Sequence, residues 1–405
     1  MHSEPFLERV RIRNYKSIGC CDVRMGRFTA LVGRNGSGKS NFLDALRFVS
    51  DGLQTSLDHA IRARGGVNEV RRRSTGHPHN FEIRLFLNLS PAEFADYGFE
   101  IAGQEKGGFA VKWERLRIVK GNGSTAAEFY VRDGQAKSSL GMNIPPASAD
   151  RLYLVTAAGL PEFRATYDAL LSMGFYNLNP EQMKENQIPD AGELLRRDGS
   201  NIASVVARLN DDRPELKQRI GEYLRVIVPD VASFDRVALG ARETLVFHQQ
   251  VKGSKHPWKF HAASMSDGTL RALGILVASM QLSGRKDAIR LTGIEEPETA
   301  LHPAAAEALM SALREAAENT QIVITTHSPD LLDEFDQDQD ELLVVRSEAG
   351  LTLIARASEL NRDAIKDHLY SPGELLRMDQ LEPDREDIER QKTLDFGFEA
   401  FEASV

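Results

Sequence analysis

The stretch Gly33-Arg34-Asn35-Gly36-Ser37-Gly38-Lys39-Ser40 matches the pattern G-x-x-x-x-G-K-[ST] at every fixed position. The apolar run Phe28–Val32 before it predicts a buried strand, and the helical spacing of apolar residues over 41–49 predicts a helix after it. In this setting the backbone N–H groups of the loop can surround phosphates, and the helix N-terminus adds its positive end. The sequence therefore predicts a phosphate-binding loop, which a chance glycine turn before a surface helix would explain less well.

The loop also predicts its ligands. Lys39 is expected to reach the β and γ phosphates of a nucleotide, and the Ser40 hydroxyl to ligate Mg²⁺. The predicted cofactors are ATP and Mg²⁺. The predicted nucleotide-binding residues in this part of the chain are Gly33, Arg34, Asn35, Gly36, Ser37, Gly38, Lys39, Ser40 and Asn41.

An acidic cluster, Glu295-Glu296-Pro297-Glu298, follows residues 289–294, which are predicted to form a buried strand in the alternation of strands and helices. Nucleotide hydrolysis needs a carboxylate near the metal and a second one that orients or deprotonates the attacking water. We assign Glu295 to Mg²⁺, through water, and Glu296 to the role of general base, with Glu298 as the next candidate. The alternative is an acidic turn that only caps the following helix.

Two further sequence elements give weaker evidence of function when each is considered alone. Ser266 precedes an apolar helix, where its hydroxyl and the free N–H groups could bind an anion, although an ordinary N-cap at Ser266 or Asp267 explains the same residues. His327 ends the apolar run 322–326 and is expected at the same sheet edge as Glu296. A single histidine is more often structural than catalytic.

The order of these four elements carries a resemblance. Residues 33–40, Ser266-Asp267-Gly268-Thr269, Ile294-Glu295-Glu296-Pro297 with Thr299–Pro303 after it, and Thr325–Pro329 together resemble the ABC-type ATPases of the structural-maintenance-of-chromosomes (SMC) and RecF group. Within that group the chain is most similar to bacterial predicted AAA-family ATPases related to the OLD nucleases. Segments 12–18, 195–201 and 371–375 are also similar to those ATPases, so the resemblance covers nearly the whole chain.

The resemblance implies further roles. Ser266 and Gly268 would form the signature that contacts the γ-phosphate across a dimer, residues 299–301 would be the D-loop, and His327 would sense the γ-phosphate. The predicted catalytic residues are therefore Glu296, His327 and Lys39. The chain departs from the commoner pattern at Glu295, where Asp is usual, and in a signature that reads Ser-Asp-Gly-Thr. Gln182 and Gln187 are only candidates for the Q-loop glutamine.

The predicted fold is α/β, an ABC-type P-loop ATPase head. Residues 1–159 would form a β-rich first lobe, 160–260 a mainly helical insertion or lid, and 261–405 a second α/β lobe with the signature, the acidic cluster and His327. No heptad run predicts a coiled-coil arm, and the segment after Phe335 is too short for the TOPRIM nuclease domain of OLD nucleases. We therefore expect an ATPase without a nuclease.

Composition limits the partners. The net charge is −9, yet residues 1–80 hold fourteen Lys and Arg against seven acidic residues, which suits a phosphate partner. Arg62, Arg64 and Arg71-Arg72-Arg73 could bind DNA or RNA, but no stacking aromatics are interleaved, so a packing or solvated role is favoured. The adjacent pair Cys20-Cys21, the lack of a long apolar run and the polar N-terminus predict a cytoplasmic protein with no membrane partner.

The leading hypothesis is an ATP-hydrolysing molecular switch that dimerises head to tail around two ATP–Mg²⁺ sites. It would form a homodimer or higher homo-oligomer and control a separate effector protein or a nucleic-acid clamp, as OLD-like relatives do in antiviral defence against phage. The alternative is a RecF-like DNA-binding ATPase of repair or recombination. A transporter motor subunit fits the sequence less well.

Overall fold

The computed structural model describes residues 4–73, 79–141, 144–281 and 289–393. The strands are β1 (Leu7–Tyr15), β2 (Ile18–Arg24), β3 (Phe28–Val32), β4 (Asn80–Ser90), β5 (Glu93–Gly103), β6 (Phe109–Lys120), β7 (Thr125–Arg132), β8 (Gln135–Ser138), β9 (Met173–Tyr176), β10 (Val231–Leu239), β11 (Arg242–Gln249), β12 (Trp258–His261), β13 (Leu291–Glu295), β14 (Gln321–Thr326), β15 (Glu341–Glu348) and β16 (Leu351–Arg356).

The α-helices lie between and around these strands. They are α1 (Lys39–Gln54), α2 (Leu57–Arg62), α3 (Val67–Val70), α4 (Leu154–Ala157), α5 (Pro161–Leu171), α6 (Pro180–Lys184), α7 (Ile202–Asp212), α8 (Pro214–Ile227), α9 (Asp267–Met280), α10 (Ala306–Ala317), α11 (Pro329–Asp333), α12 (Glu359–Lys366), α13 (Pro372–Arg377) and α14 (Arg385–Thr393).

One large sheet joins most of the described strands in the order β8-β7-β6-β5-β4-β1-β2-β16-β15-β3-β14-β13-β9. The neighbours β9, β13, β14, β3 and β15 are parallel, whereas β1, β2 and β4–β8 pair antiparallel. All five residues of β3 are buried, as expected for a strand with parallel neighbours on both sides. The predicted mixed α/β fold class is confirmed in this architecture.

The parallel strands place their carboxyl ends at one edge of the sheet. In the register, Val32 lies opposite Thr326 and Glu295 lies opposite Thr325. The segments that follow β3, β13 and β14 therefore start side by side. These segments contain the glycine loop, the acidic cluster and His327.

The predicted first lobe (residues 1–159) and the predicted last lobe (residues 261–405) both contribute strands to this sheet. Strand β3 pairs with β14 on one side and β15 on the other, and β16 pairs with β2. Two large apolar cores result. One packs α1, α2 and α5 on the antiparallel part of the sheet, and the other packs α7–α10 on its parallel part and on the small sheet of β10–β12.

The expectation of a mainly helical segment over 160–260 describes only part of it. Helices dominate up to Ile227, but β9 joins the large sheet and residues 231–261 form the three antiparallel strands β10–β12. The physical reason is a hairpin in which Leu239 pairs with Arg242 across a two-residue turn, whose Gly240 has φ of 61°.

Candidate functional site

The loop between β3 and α1 has the backbone shape that a phosphate cradle needs. Gly36 and Gly38 have φ of 78° and 105°, in the region that favours glycine. Helix α1 begins at Lys39 with no side-chain cap on its first turn, so its N-terminal N–H groups are available to an anion. A Cβ at Gly38 would overlap Thr352, which lies on the neighbouring strand β16. Close packing as well as turn geometry therefore requires glycine there.

Lys39 folds back over this loop. Its buried ammonium group donates to the carbonyl oxygens of Gly33 (2.7 Å) and Arg34 (3.1 Å). Burial lowers the pKa of Lys39, and the negative charges of Glu296 and Glu298 oppose this effect. The lysine charge is thus held over the loop, facing the acidic cluster.

The neighbours of Lys39 differ in what they offer. Ser40 is exposed at the start of α1, whereas the Ser37 hydroxyl is buried and lacks a hydrogen-bond partner among the described residues. Asn41 was predicted to bind nucleotide, but its side-chain amide donates to the Ser17 hydroxyl at 2.6 Å. In turn, Thr352 bonds to both Ser17 and the Ser37 carbonyl, so Asn41 braces the loop from behind.

The acidic cluster lies at the carboxyl end of β13. Glu296 has φ of 45°, and its N–H donates to the carbonyl oxygen of Thr325 at 3.0 Å, which fixes the turn after the strand. Its carboxylate oxygen Oε1 lies 3.5 Å from Nδ1 of His327, which confirms the predicted proximity of these two residues. Both side chains remain about two-fifths exposed, so both face the open edge of the sheet.

Glu298 supports the histidine. Its Oε1 accepts from the Thr326 hydroxyl (2.7 Å) and from the backbone N–H of His327 (3.1 Å). Nδ1 of His327 lies 3.6 Å from the same oxygen and forms no hydrogen bond within the described residues. Because Glu298 is used to hold the end of β14, it is less free to move than Glu296.

Two arginines reach this site that the sequence did not single out. Arg197 lies in the segment 195–201, and its Nη2 is 3.2 Å from Oε1 of Glu295. Arg271, on α9, donates to the backbone carbonyl of Glu296 (3.1 Å) and to that of Leu178 (2.7 Å). The resemblance of segment 195–201 to related ATPases was the one sequence signal that pointed to Arg197.

Ser266 caps α9. Its hydroxyl accepts from the N–H of Thr269 at 3.2 Å, so within one chain the N-cap interpretation describes its contacts. Gly268 packs directly on the carbonyl of Ala300, whose φ is 65°. Among the described residues, no hydrogen bond or ion pair joins Ser266 or Gly268 to the loop 33–41.

Three of the remaining candidates have structural partners. Arg64 is almost fully buried and pairs with Asp44 and Asp51, which matches its favoured packing role. Arg73 pairs with Glu69. The side-chain oxygen Oε1 of Gln187 accepts from the N–H of Ala203, so Gln187 caps the start of α7.

The residues at this edge fit a magnesium nucleotide. Three buried polar atoms of the loop, the acidic cluster and the residue after β14 have no hydrogen-bond partner among the described residues, namely the Ser37 hydroxyl, Oε2 of Glu298 and Nδ1 of His327. No cluster of three or more metal-binding side chains occurs in the described ranges. A hard cation that keeps waters and takes oxygens from phosphate, hydroxyl and one carboxylate needs no such cluster, and Ser40 and Glu295 offer those donors.

Solved structures share the architecture. An Smc head bound to the C-winged helix domain of ScpA matches with a TM-score of 0.53 and 16% identity, covering 89% of this chain and 100% of that one. The Pyrococcus furiosus Smc head domain with an extended coiled coil, bound to the C-terminal domain of ScpA, gives 0.51 at 13% identity and covers 90% and 99%. The fold is thus that of an SMC-type ATPase head.

The sequence comparisons agree. The chromosome partition protein Smc of Pyrococcus furiosus is 43% identical over 61 residues, which is 14% of this chain and only 5% of that relative. No helix in the described part of the chain is both long and apolar enough to cross a lipid bilayer. A family model described as "AAA domain, putative AbiEii toxin, Type IV TA system" matches residues 28–333. The chain therefore belongs to this AAA-domain family of P-loop ATPases.

Proposed function

We propose that the chain binds ATP with Mg²⁺ at the loop 33–40, hydrolyses it, and uses the cycle as a switch that controls a partner. The observation that carries the proposal is the meeting of the Lys39 loop, Glu295, Glu296 and His327 at one edge of the parallel strands. These residues follow three strands whose carboxyl ends lie at the same edge of the sheet. ABC-type ATPases need this combination of phosphate cradle, metal carboxylate and base.

Each residue has a role in the proposal. Lys39 leaves the loop carbonyls and meets the β and γ phosphates, while Ser40 and Glu295 hold Mg²⁺. Glu296 takes a proton from the attacking water, and His327 contacts the γ-phosphate side of the site. The half-exposed position of Glu296 supports its role as base, because water reaches it directly.

The second part of the proposal concerns assembly. Within the described residues, Ser266 and Gly268 form no hydrogen bond or ion pair with the loop of their own chain, so we propose that they complete the nucleotide site of a second copy in a head-to-tail dimer. Two Smc heads of the same fold were solved with ScpA domains bound to them. By analogy, we propose that the effector is a separate protein that binds the head. We further propose that the switch acts in the cytoplasm, in antiviral defence.

A calorimetric titration with ATP and Mg²⁺ tests the nucleotide site. Wild-type protein should bind, and Lys39→Ala should lose measurable affinity because the loop loses the charge that meets the phosphates. Glu296→Gln should keep ATP bound while hydrolysis slows by roughly 10²-fold or more, the size expected for loss of a general base. Unchanged ATP affinity in Lys39→Ala would refute the assignment of the loop.

Mixing experiments test the shared site. Light scattering should show that Glu296→Gln forms dimers when ATP is present. Ser266→Arg should weaken this dimerisation, because the bulky cationic side chain would lie in the proposed interface between the two copies. Ser266→Thr is the matched control, because it keeps both the hydroxyl and the helix cap. A mixture of inactive Lys39→Ala and inactive Ser266→Arg should regain part of the ATPase activity. A monomer that hydrolyses ATP at full rate at every concentration contradicts the shared-site mechanism.

The DNA-binding alternative makes a different prediction. Binding that depends on phosphate contacts weakens steeply with salt. ATP-dependent DNA binding with such a salt dependence would favour the RecF-like function, whereas copurification of an effector protein with Glu296→Gln favours the switch.

A further inference from the structure

Segment 195–201 is fixed beside the nucleotide edge of the sheet. It runs next to the residues that follow edge strand β9, and the backbone N–H groups of Asn177 and Asn179 donate to the carbonyls of Arg197 and Asp198, both at 3.0 Å. The Asn201 side chain closes the segment, since its Oδ1 accepts from the N–H of Arg196 at 2.8 Å. The backbone of Arg197 is therefore anchored next to β13.

The side chain of Arg197 faces Glu295. The guanidinium Nη2 lies 3.2 Å from Oε1 of Glu295, and the arginine side chain is 46% exposed while that of the glutamate is 22% exposed. Arg47 lines the same narrow cleft, but its Nη2 pairs with Asp44 at 2.6 Å. Of these two arginines in the cleft, Arg197 is the one that neutralises Glu295.

Such a pair is easily exchanged. Ion pairs between partly exposed side chains contribute about 0–1 kcal/mol, because water screens the charges and two long side chains lose freedom. A divalent cation carries twice the charge of a guanidinium and brings phosphate oxygens with it. Glu295 can therefore leave Arg197 for a magnesium nucleotide at small cost.

We propose that Arg197 is a positioning residue that holds Glu295 until Mg²⁺–ATP enters, and that its competition with the metal sets the Mg²⁺ concentration at which ATP binds. The inference rests on the proposed ATP–Mg²⁺ function and deepens it. Arg197 in this role acts through Glu295 and not on the phosphates. Its removal should thus strengthen the metal site instead of weakening the nucleotide site.

Equilibrium binding of a fluorescent ATP analogue during a MgCl₂ titration tests this role without any measurement of hydrolysis. In Arg197→Ala, the half-saturating Mg²⁺ concentration should fall about 2–5-fold, the change that corresponds to loss of a competing surface pair. Arg197→Lys keeps a positive charge and should restore a value close to that of the wild type.

Arg196→Ala is the matched control. It removes the same charge from the same segment, but Arg196 pairs with Asp190 at 3.1 Å and not with Glu295. The control should leave the Mg²⁺ dependence unchanged, which separates the specific pair from a general effect of net charge.

The outcomes are distinct. If wild-type protein binds the analogue but Arg197→Ala needs the same or more Mg²⁺, or if Arg196→Ala shifts the titration equally, the role of Arg197 is overturned and the ATP site stands. If wild-type protein binds no analogue at saturating Mg²⁺, both this inference and the proposed function are overturned.

Discussion

A methyl group at Gly268 tests how helix α9 is held against the turn that contains Ala300. A Cβ built there would overlap the carbonyl oxygen of Ala300 and lie 3.3 Å from its carbonyl carbon. Ala300 cannot easily move away, because its φ is already 65° and the neighbouring N–H of Leu301 donates to the carbonyl of Glu298 at 3.0 Å. Gly268→Ala must therefore displace either the start of α9 or this turn.

The size of the effect follows from two opposing contributions. Overpacking typically costs about 1–3 kcal/mol, whereas replacing a helical glycine by alanine gains at most about 1 kcal/mol. We expect Gly268→Ala to lower the free energy of unfolding by about 1–2 kcal/mol, because the overlap is with backbone and not with a flexible side chain. The turn also contains the Glu296 carbonyl, to which the N–H of Thr299 donates at 3.1 Å. A displacement of that turn should reduce ATP hydrolysis by about tenfold or more.

Gly221→Ala provides the control. Gly221 lies within α8, and a Cβ there would meet only Phe234, at 3.8 Å, an ordinary contact. This variant should gain up to about 1 kcal/mol of stability and keep its ATPase rate. Urea unfolding and steady-state ATP hydrolysis measure both variants. If Gly268→Ala is as stable and active as Gly221→Ala, the close packing of α9 on Ala300 is refuted.

Three other changes test separate contacts. Arg271→Met removes the hydrogen bond to the Glu296 carbonyl. It should lower kcat by about tenfold, the equivalent of ~1.4 kcal/mol, and leave the ATP affinity unchanged. Equal losses in kcat and in ATP affinity would contradict a role of Arg271 in positioning Glu296. Burial raises the pKa of Glu82 from 4.5 to about 8, so the folded state keeps a proton that the unfolded chain releases, and the linked stability falls as pH rises from 4.5 to 8. The difference in unfolding free energy between wild type and Glu82→Gln should change over that range by a few kcal/mol, and a constant difference would refute the assignment. Asp44→Asn leaves the buried Arg64 guanidinium with less negative charge and should cost about 3 kcal/mol in urea unfolding; a loss below ~1 kcal/mol would contradict the buried pair.

The sequence predicted the parts of the site that depend on local order along the chain. The glycine loop, the acidic cluster and His327 each follow an apolar run, and apolar runs of that length predict buried strands. Once those strands are parallel, their carboxyl ends meet at one edge, so Glu296 and His327 come together. Lys39 and Glu296 are 296 − 39 = 257 positions apart along the chain. The sheet register nevertheless places the strand ends that precede them at the same edge.

Contacts made by lone side chains could not be predicted in this way. Arg197 meets Glu295 across 98 positions, and Arg271 bonds to backbone carbonyls, which every residue type carries. A carbonyl partner leaves no pattern in a sequence. The small sheet of β10–β12 escaped prediction for another reason. Its exposed strand faces alternate weakly, and the turn at Gly240 lies within a segment whose earlier part is helical.

Helix α9 connects the Ser266 cap to the turn after β13 that contains Glu296. Ser266 caps the helix, Gly268 packs on the turn that contains Ala300, and Arg271 bonds to the carbonyl of Glu296. These three residues lie within six positions, a helix rise of about 7.5 Å. In the proposed dimer, a displacement of Ser266 by the second copy would be transmitted to the backbone of Glu296 through Gly268 and Arg271. Substitutions at Gly268 and Arg271 should therefore impair hydrolysis more than ATP binding, whereas Lys39→Ala should abolish both.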